Sequence, residues 1–194
     1  RPSQDYKWID HHIEKILALD IISPQQISQR QLKVVADCVG ATASMMAAKF
    51  FSCLGVSYQL INSQIGERFP HPAEPIPENL GDLSKAVRGV GADIGLAFDP
   101  DSDRLAIVSE KGEPLGEEYT LALGCRYILS QKQVPVAVNV SSSMLNDFVA
   151  REAGTKLYRT RVGERNVTEK LMRVNGVAGG EGNGGLIYPG LHWG

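Results

Sequence analysis

The tightest constraint in this chain is Asp99-Pro100-Asp101-Ser102-Asp103-Arg104, three carboxylates and a guanidinium between the apolar runs Ala92–Phe98 and Leu105–Val108. A charged segment this short, with an apolar run on each side, has to leave the interior and return to it. The flanks therefore read as strands and the middle as their connection. In extended backbone alternate side chains share a face, which lets Asp99, Asp101 and Asp103 converge on one point. Converging hard oxygen ligands suit Mg²⁺ or Ca²⁺; without a cation the three anions repel and require a loose, solvated loop. Arg104, at the end of the loop, is placed to hold a phosphate that the same cation touches.

An EF-hand shares the carboxylate spacing, with Asp99, Asp101, Asp103 and Glu110 in register, but it needs a glycine where Arg104 stands and helices where strands are read. Around the loop the chain alternates. Apolar spacing predicts a helix over residues 3–19, a short turn after Pro24, a strand over 32–39 and a helix over 42–54 stopped by Gly55. A strand over 56–61 follows, then a stiff segment with four prolines between 66 and 77, and a helix over 79–90 capped by Asn79 or Asp82. A second cycle has helices over 117–131, 142–152 with a serine cap, and 164–174. Its strands are read over 134–140 and 156–162, with strand segments over 177–179 and 186–188. The fold class is α/β: two consecutive α/β domains, residues 1–113 and 114–194, with mainly parallel mixed sheets and flanking helices. In such sheets ligands gather beyond the carboxyl ends of the strands, where the acidic loop sits.

With 20 basic and 22 acidic residues the net charge is −2, so no global field favours nucleic acid or an anionic membrane, and an anionic ligand has to be recognised locally. No apolar run is long enough to span a membrane. Cys38, Cys53 and Cys125 are odd in number and far apart in apolar surroundings, which reads as reduced thiols in a cytoplasmic protein and gives no zinc spacing.

Two further stretches carry polar chemistry. Gly179-Gly180-Glu181-Gly182-Asn183-Gly184-Gly185 contains the dinucleotide pattern G-x-G-x-x-G, but Leu186-Ile187-Tyr188-Pro189 is no helix start for a pyrophosphate. What remains is a tight loop whose Glu181 and Asn183 suit sugar hydroxyls. Arg159-Thr160-Arg161-Val162-Gly163-Glu164-Arg165-Asn166 brings three arginines to a strand end and a helix start, fit for an anion or for a solvated turn. Ser44 has no His or Asp at fitting spacing and reads as a core or capping hydroxyl; His11 and His12 read as solvent-facing and His71 as structural.

Taken together the loops resemble the α-D-phosphohexomutases, the family of phosphoglucomutases, phosphomannomutases and phosphoglucosamine mutases. The acidic loop is similar to the family's D-G-D-G-D-R metal loop, and residues 179–185 to its sugar loop G-E-x-S-G-H. Phe69-Pro70-His71-Pro72 through Glu78-Asn79-Leu80 and Arg159 to Glu164 fall in register too. The resemblance covers the family's second domain and most of its third, leaving out the first, with a phosphoserine loop of T-A-S-H-N-P type, and the fourth. Thr42-Ala43-Ser44 matches that serine loop in three letters only and lies in the wrong domain, and Asn183 and Gly185 replace Ser and His of the sugar loop.

The resemblance implies reversible transfer of phosphate between the 1- and 6-positions of a hexose through a bisphosphorylated intermediate. Mg²⁺ would be held by Asp99, Asp101, Asp103 and the phosphoserine of the absent first domain. Arg104 would contact the phosphoryl group, Glu181 and Asn183 the sugar, and Arg161 would assist proton transfer or hold phosphate. The alternative is a non-catalytic metal- or carbohydrate-binding module reusing the fold. A chain lacking the serine domain is expected to show no mutase turnover and weak Mg²⁺ binding; turnover in a coupled assay, or tight stoichiometric binding by calorimetry, would contradict this.

Overall fold

The structure, a computed structural model, describes residues 7–193. The expected first helix is α1 (Lys7–Leu17), which buries Ile13; it ends two residues short of the expected limit, and residues 3–6 of the expected range lie outside the described residues. Ser23 accepts the Gln26 N–H at 3.4 Å and Pro24 presets the first turn of α2 (Pro24–Gln29). Then come β1 (Lys33–Asp37), α3 (Ala43–Leu54), β2 (Ser57–Ile61), a 3₁₀ turn at Pro77–Asn79, α4 (Gly81–Val90), β3 (Ile94–Phe98) and β4 (Leu105–Ser109). The sheet order is β2-β1-β3-β4, with β2, β1 and β3 parallel and β4 antiparallel at the edge.

Period-two alternation on β1 explains the layering. Val35 joins Leu80, Leu83 and Val87 beneath α4, while Val34 and Ala36 join Ala43, Ala47 and Phe51 beneath α3. A strand buried on both faces has to be apolar throughout, as Val34-Val35-Ala36 is.

The second half runs α5 (Glu117–Gln131), β5 (Val136–Asn139), α6 (Leu145–Glu152), β6 (Leu157–Thr160), α7 (Glu164–Val174) and β7 (Ala178–Gly180). Its three strands are all parallel in the order β6-β5-β7. Val136 and Val138 pack against α5 and α6, and Ala137 against Val167 and Leu171 of α7. The α/β architecture read from the sequence is therefore the observed one. Among the described residues no helix is long and apolar enough to cross a membrane.

The capping expectations fail where another partner within a few residues takes the side chain. Neither Asn79 nor Asp82 caps α4: the Asn79 amide donates to the Glu74 carbonyl at 2.8 Å and Asp82 pairs with Lys85 at 3.3 Å. The helix read from Ser142 starts only at Leu145, because Ser142 bonds to the Asn139 side chain, though Ser143 Oγ accepts the Leu145 N–H at 3.1 Å. Of the two readings of Ser44, core or capping hydroxyl, the core one holds: it lies within α3, its Oγ is buried, and it caps no helix end. Residues 186–188 form no ladder; Ile187 makes one antiparallel bridge to Gly179.

Gly95, in the middle of β3, is a packing glycine. A Cβ there would stand 2.7 Å from Val87 Cγ2 and 3.0 Å from Val108 Cβ. We expect Gly95→Ala to cost about 1–3 kcal/mol in urea denaturation. Gly89→Ala, in α4 with open space around it, should instead be neutral or gain up to about 1 kcal/mol.

Candidate active site

The acidic loop is a hairpin closed on itself. The Asp99 N–H donates to the Arg104 carbonyl at 3.3 Å, continuing the β3–β4 ladder. Asp99 is 1% exposed and accepts from the Arg104 main chain at 3.2 Å and from Arg104 Nε at 2.8 Å. Burial pushes the Asp99 carboxyl up, but the side-chain and main-chain hydrogen bonds of Arg104, with its charge, overrule this and leave it below the ordinary aspartate range. Asp103 moves the other way: partial burial, then repulsion from Asp99 and Asp101, holds its proton more tightly. The Asp99–Arg104 pair also raises the already high Arg104 value, outweighing its desolvation.

Asp99, Asp101 and Asp103 offer one oxygen each within 4.8 Å of one another. All three donors are hard oxygens and two of the carboxylates are exposed, so the set fits Mg²⁺ or Ca²⁺ and not a thiophilic metal. Ser102 between them has φ +66°, a conformation natural to glycine, and its buried Oγ has no partner.

The glycine-rich loop following β7 meets this hairpin directly. The Leu105 N–H donates to the Gly184 carbonyl at 3.1 Å, and the Thr120 hydroxyl of α5 donates to the Leu105 carbonyl. Gly184 has φ +93°, and a Cβ on it would lie 2.7 Å from the Leu105 oxygen. Asp101, Asp103, Arg104, Glu181 and Asn183 consequently line one cavity of about 420 Å³, with Asp99 buried beneath.

The cavity also takes in residues that the sequence did not single out for it. Glu164 at the start of α7, His12 on α1 and His192 near the end of the chain all line it. The expectation of a solvent-facing His12 is right as to exposure, yet the exposed face borders the cavity. No periodicity could have shown this, since His12 is distant in sequence from every loop it faces. Arg161 is not brought to this cavity. It lines a separate cleft of about 220 Å³ with Arg159, Glu169, Lys170 and Arg173, in which Glu169 stands 3.7 Å from Arg173 and Arg159 is held by Asp147 and by main-chain carbonyls. His71 is structural as expected, hydrogen-bonding Asp37 at 3.0 Å, where Asn62 also anchors that buried carboxylate.

Residues 10–112 match the family model described as phosphoglucomutase/phosphomannomutase, alpha/beta/alpha domain II, and residues 116–193 match that of domain III. The chain belongs to the phosphoglucomutase/phosphomannomutase family. A probable phosphoglucosamine mutase of Methanopyrus kandleri is 38% identical over 183 residues, covering 93% of this chain and 39% of the relative. A phosphoglucomutase/phosphomannomutase of Thermococcus kodakarensis is 32% identical, covering 96% of this chain and 44% of the relative. The crystal structure of a family member from Burkholderia thailandensis superposes with a TM-score of 0.81 at 27% identity, covering 95% of this chain and 42% of that one. The chain thus spans about two fifths of the length of these phosphohexomutase relatives.

Gly184→Ala is expected to lose about 1–3 kcal/mol, from the positive φ and the clash with Leu105, and to raise hydrogen exchange at the Leu105 amide. Gly185→Ala has no positive φ and meets nothing closer than 3.3 Å, and should leave that amide protected.

Proposed function

We propose that this chain is the metal- and sugar-binding middle of a phosphohexomutase, divided between residues 113 and 114, that serves interconversion of hexose 1- and 6-phosphates. The observation that carries the reading is the single cavity in which Asp101, Asp103 and Arg104 face Glu181 and Asn183. A cation site and a phosphate-binding guanidinium on one wall, with sugar-binding groups on the other, is what a phosphorylated hexose requires.

In this reading Asp99, Asp101 and Asp103 hold Mg²⁺, which when bound supplies charge neutralisation for a phosphoryl group. Arg104 keeps Nε on Asp99 and directs the remaining guanidinium edge to a phosphate oxygen. Glu181 and Asn183 accept and donate to ring hydroxyls, and they serve either orientation of the sugar because neither depends on where the phosphate lies. Arg161, with Lys170 and Arg173, is assigned to holding phosphate in the neighbouring cleft and not to proton transfer in this one. The phosphoserine comes from a domain outside this chain, which accounts for the expected inactivity of these residues alone.

Titration of the chain with glucose 6-phosphate, mannose 6-phosphate and glucosamine 6-phosphate in the presence of Mg²⁺, followed by NMR, tests the reading. Resonances of residues 101–104 and 181–185 should move together, and Glu181→Gln should weaken binding about tenfold by loss of a charged acceptor. Movement of neither loop at millimolar sugar phosphate would overturn it.

A further inference from the structure

Glu181 is held by groups outside its own loop. Its Oε1 accepts from the Asn139 amide at 2.9 Å and from the Gly163 main-chain N–H. Asn139 closes β5 and is 2% exposed. The orientation of its amide is fixed by chemistry: Oδ1 accepts the Ser142 N–H at 2.9 Å, the Ser142 hydroxyl at 2.7 Å and the Ser141 hydroxyl at 3.0 Å. A main-chain N–H is a donor only, so the amide nitrogen cannot occupy that side and must face Glu181.

We propose that Asn139 is the positioning residue of the sugar site. It fixes the Glu181 carboxylate on a glycine-rich loop so that Oε1 belongs to the protein and Oε2 is left for a ligand hydroxyl. The inference rests on the sugar-binding reading of Glu181. Two neutral donors suit this task better than a lysine or arginine would, because they orient the carboxylate and leave its charge unspent for a charge-assisted bond to a hydroxyl. The same charge repels phosphate, so the phosphate end of a ligand is directed toward Arg104. Asn139 does two jobs with two atoms: Oδ1 fastens the turn at residues 140–143, and Nδ2 sets Glu181.

Asn139→Asp separates the two jobs, since it keeps the acceptor and the volume while replacing the donor by an anion. The charged and titratable groups around the pair are Arg159, which donates to the Asn139 carbonyl at 3.2 Å and is itself paired with Asp147, and, lining the cavity with Glu181, His12, Asp101, Asp103, Arg104, Glu164 and His192. These are common to both proteins, so each measurement is the ratio of variant to wild type at one pH. At pH 8 the variant should bind glucose 6-phosphate about tenfold more weakly, and its Gly163 amide resonance should leave the wild-type position. Toward pH 5 a carboxyl buried beside another carboxylate regains its proton, donates to Glu181, and both differences should shrink. A deficit equal at both pH values would mark a merely structural role and overturn the proposal, as would an unmoved Gly163 amide. If the wild type bound no hexose phosphate while the Gly163 amide still followed the substitution, the sugar reading would fall and the positioning of Glu181 would stand. Should the variant not fold, Glu181→Gln read at the Asn139 side-chain amide resonances decides the coupling: a shift supports it and none overturns it.

Discussion

The site depends on the two hydrogen bonds that Leu105 sends and receives across the chain. β4 is the edge of its sheet, so the outward main-chain groups of Leu105 have no strand to pair with. Its N–H finds the Gly184 carbonyl and its carbonyl finds the Thr120 hydroxyl, which closes the edge with the other half of the molecule. The residue before Leu105 is Arg104 of the acidic loop, and the residue before Gly184 is Asn183 of the glycine-rich loop. The main-chain bond from Leu105 to Gly184 therefore sets the spacing between the two walls of the cavity, and the Thr120 side chain fastens the opposite group of Leu105 to α5.

On this frame the charges are arranged around Arg104. It lies against Asp99 and Asp103, with Glu74 at 3.9 Å, and its field opposes the burial and the Glu74 repulsion that raise the Glu117 carboxyl. One cation facing so many carboxylates leaves the surroundings rich in negative charge, which favours a metal ion before an anion. Asp99 is fully engaged by Arg104, whereas Asp101 and Asp103 remain exposed. The loop thus has one rigid carboxylate and two that are free to turn.

How much of this was readable from the amino-acid order depended on whether the determining contacts were local. The hairpin at 99–104 was legible because its signal is contained in the loop and its two flanks, and the α/β alternation because burial on one or both faces imposes a period. Helix starts were misread at Asn79, Asp82 and Ser142 for another reason: a partner three to five residues away took each side chain, and nothing in the order of residues ranks one local bond above another. Arg161 carried the right charge but sits after the edge strand β6, which turns it to a different cleft. Asn139 gave no signal at all: an asparagine ending an apolar strand is unremarkable until Glu181, 42 residues later, is seen to rest on it.

The glycines of the loop at residues 179–185 are unequal in what they permit. A side chain at 179, 180, 182 or 184 would run into Ala137, Gly185, Glu118 or Leu105 respectively, so these positions define the path of the backbone. Position 185 lines the cavity, has an ordinary φ, and a β-carbon there would press only on the Asn183 side-chain oxygen, at 3.3 Å. Within a loop whose backbone path is otherwise locked, residues 183 and 185 are where a lineage could change the chemistry of the cavity wall without refolding it.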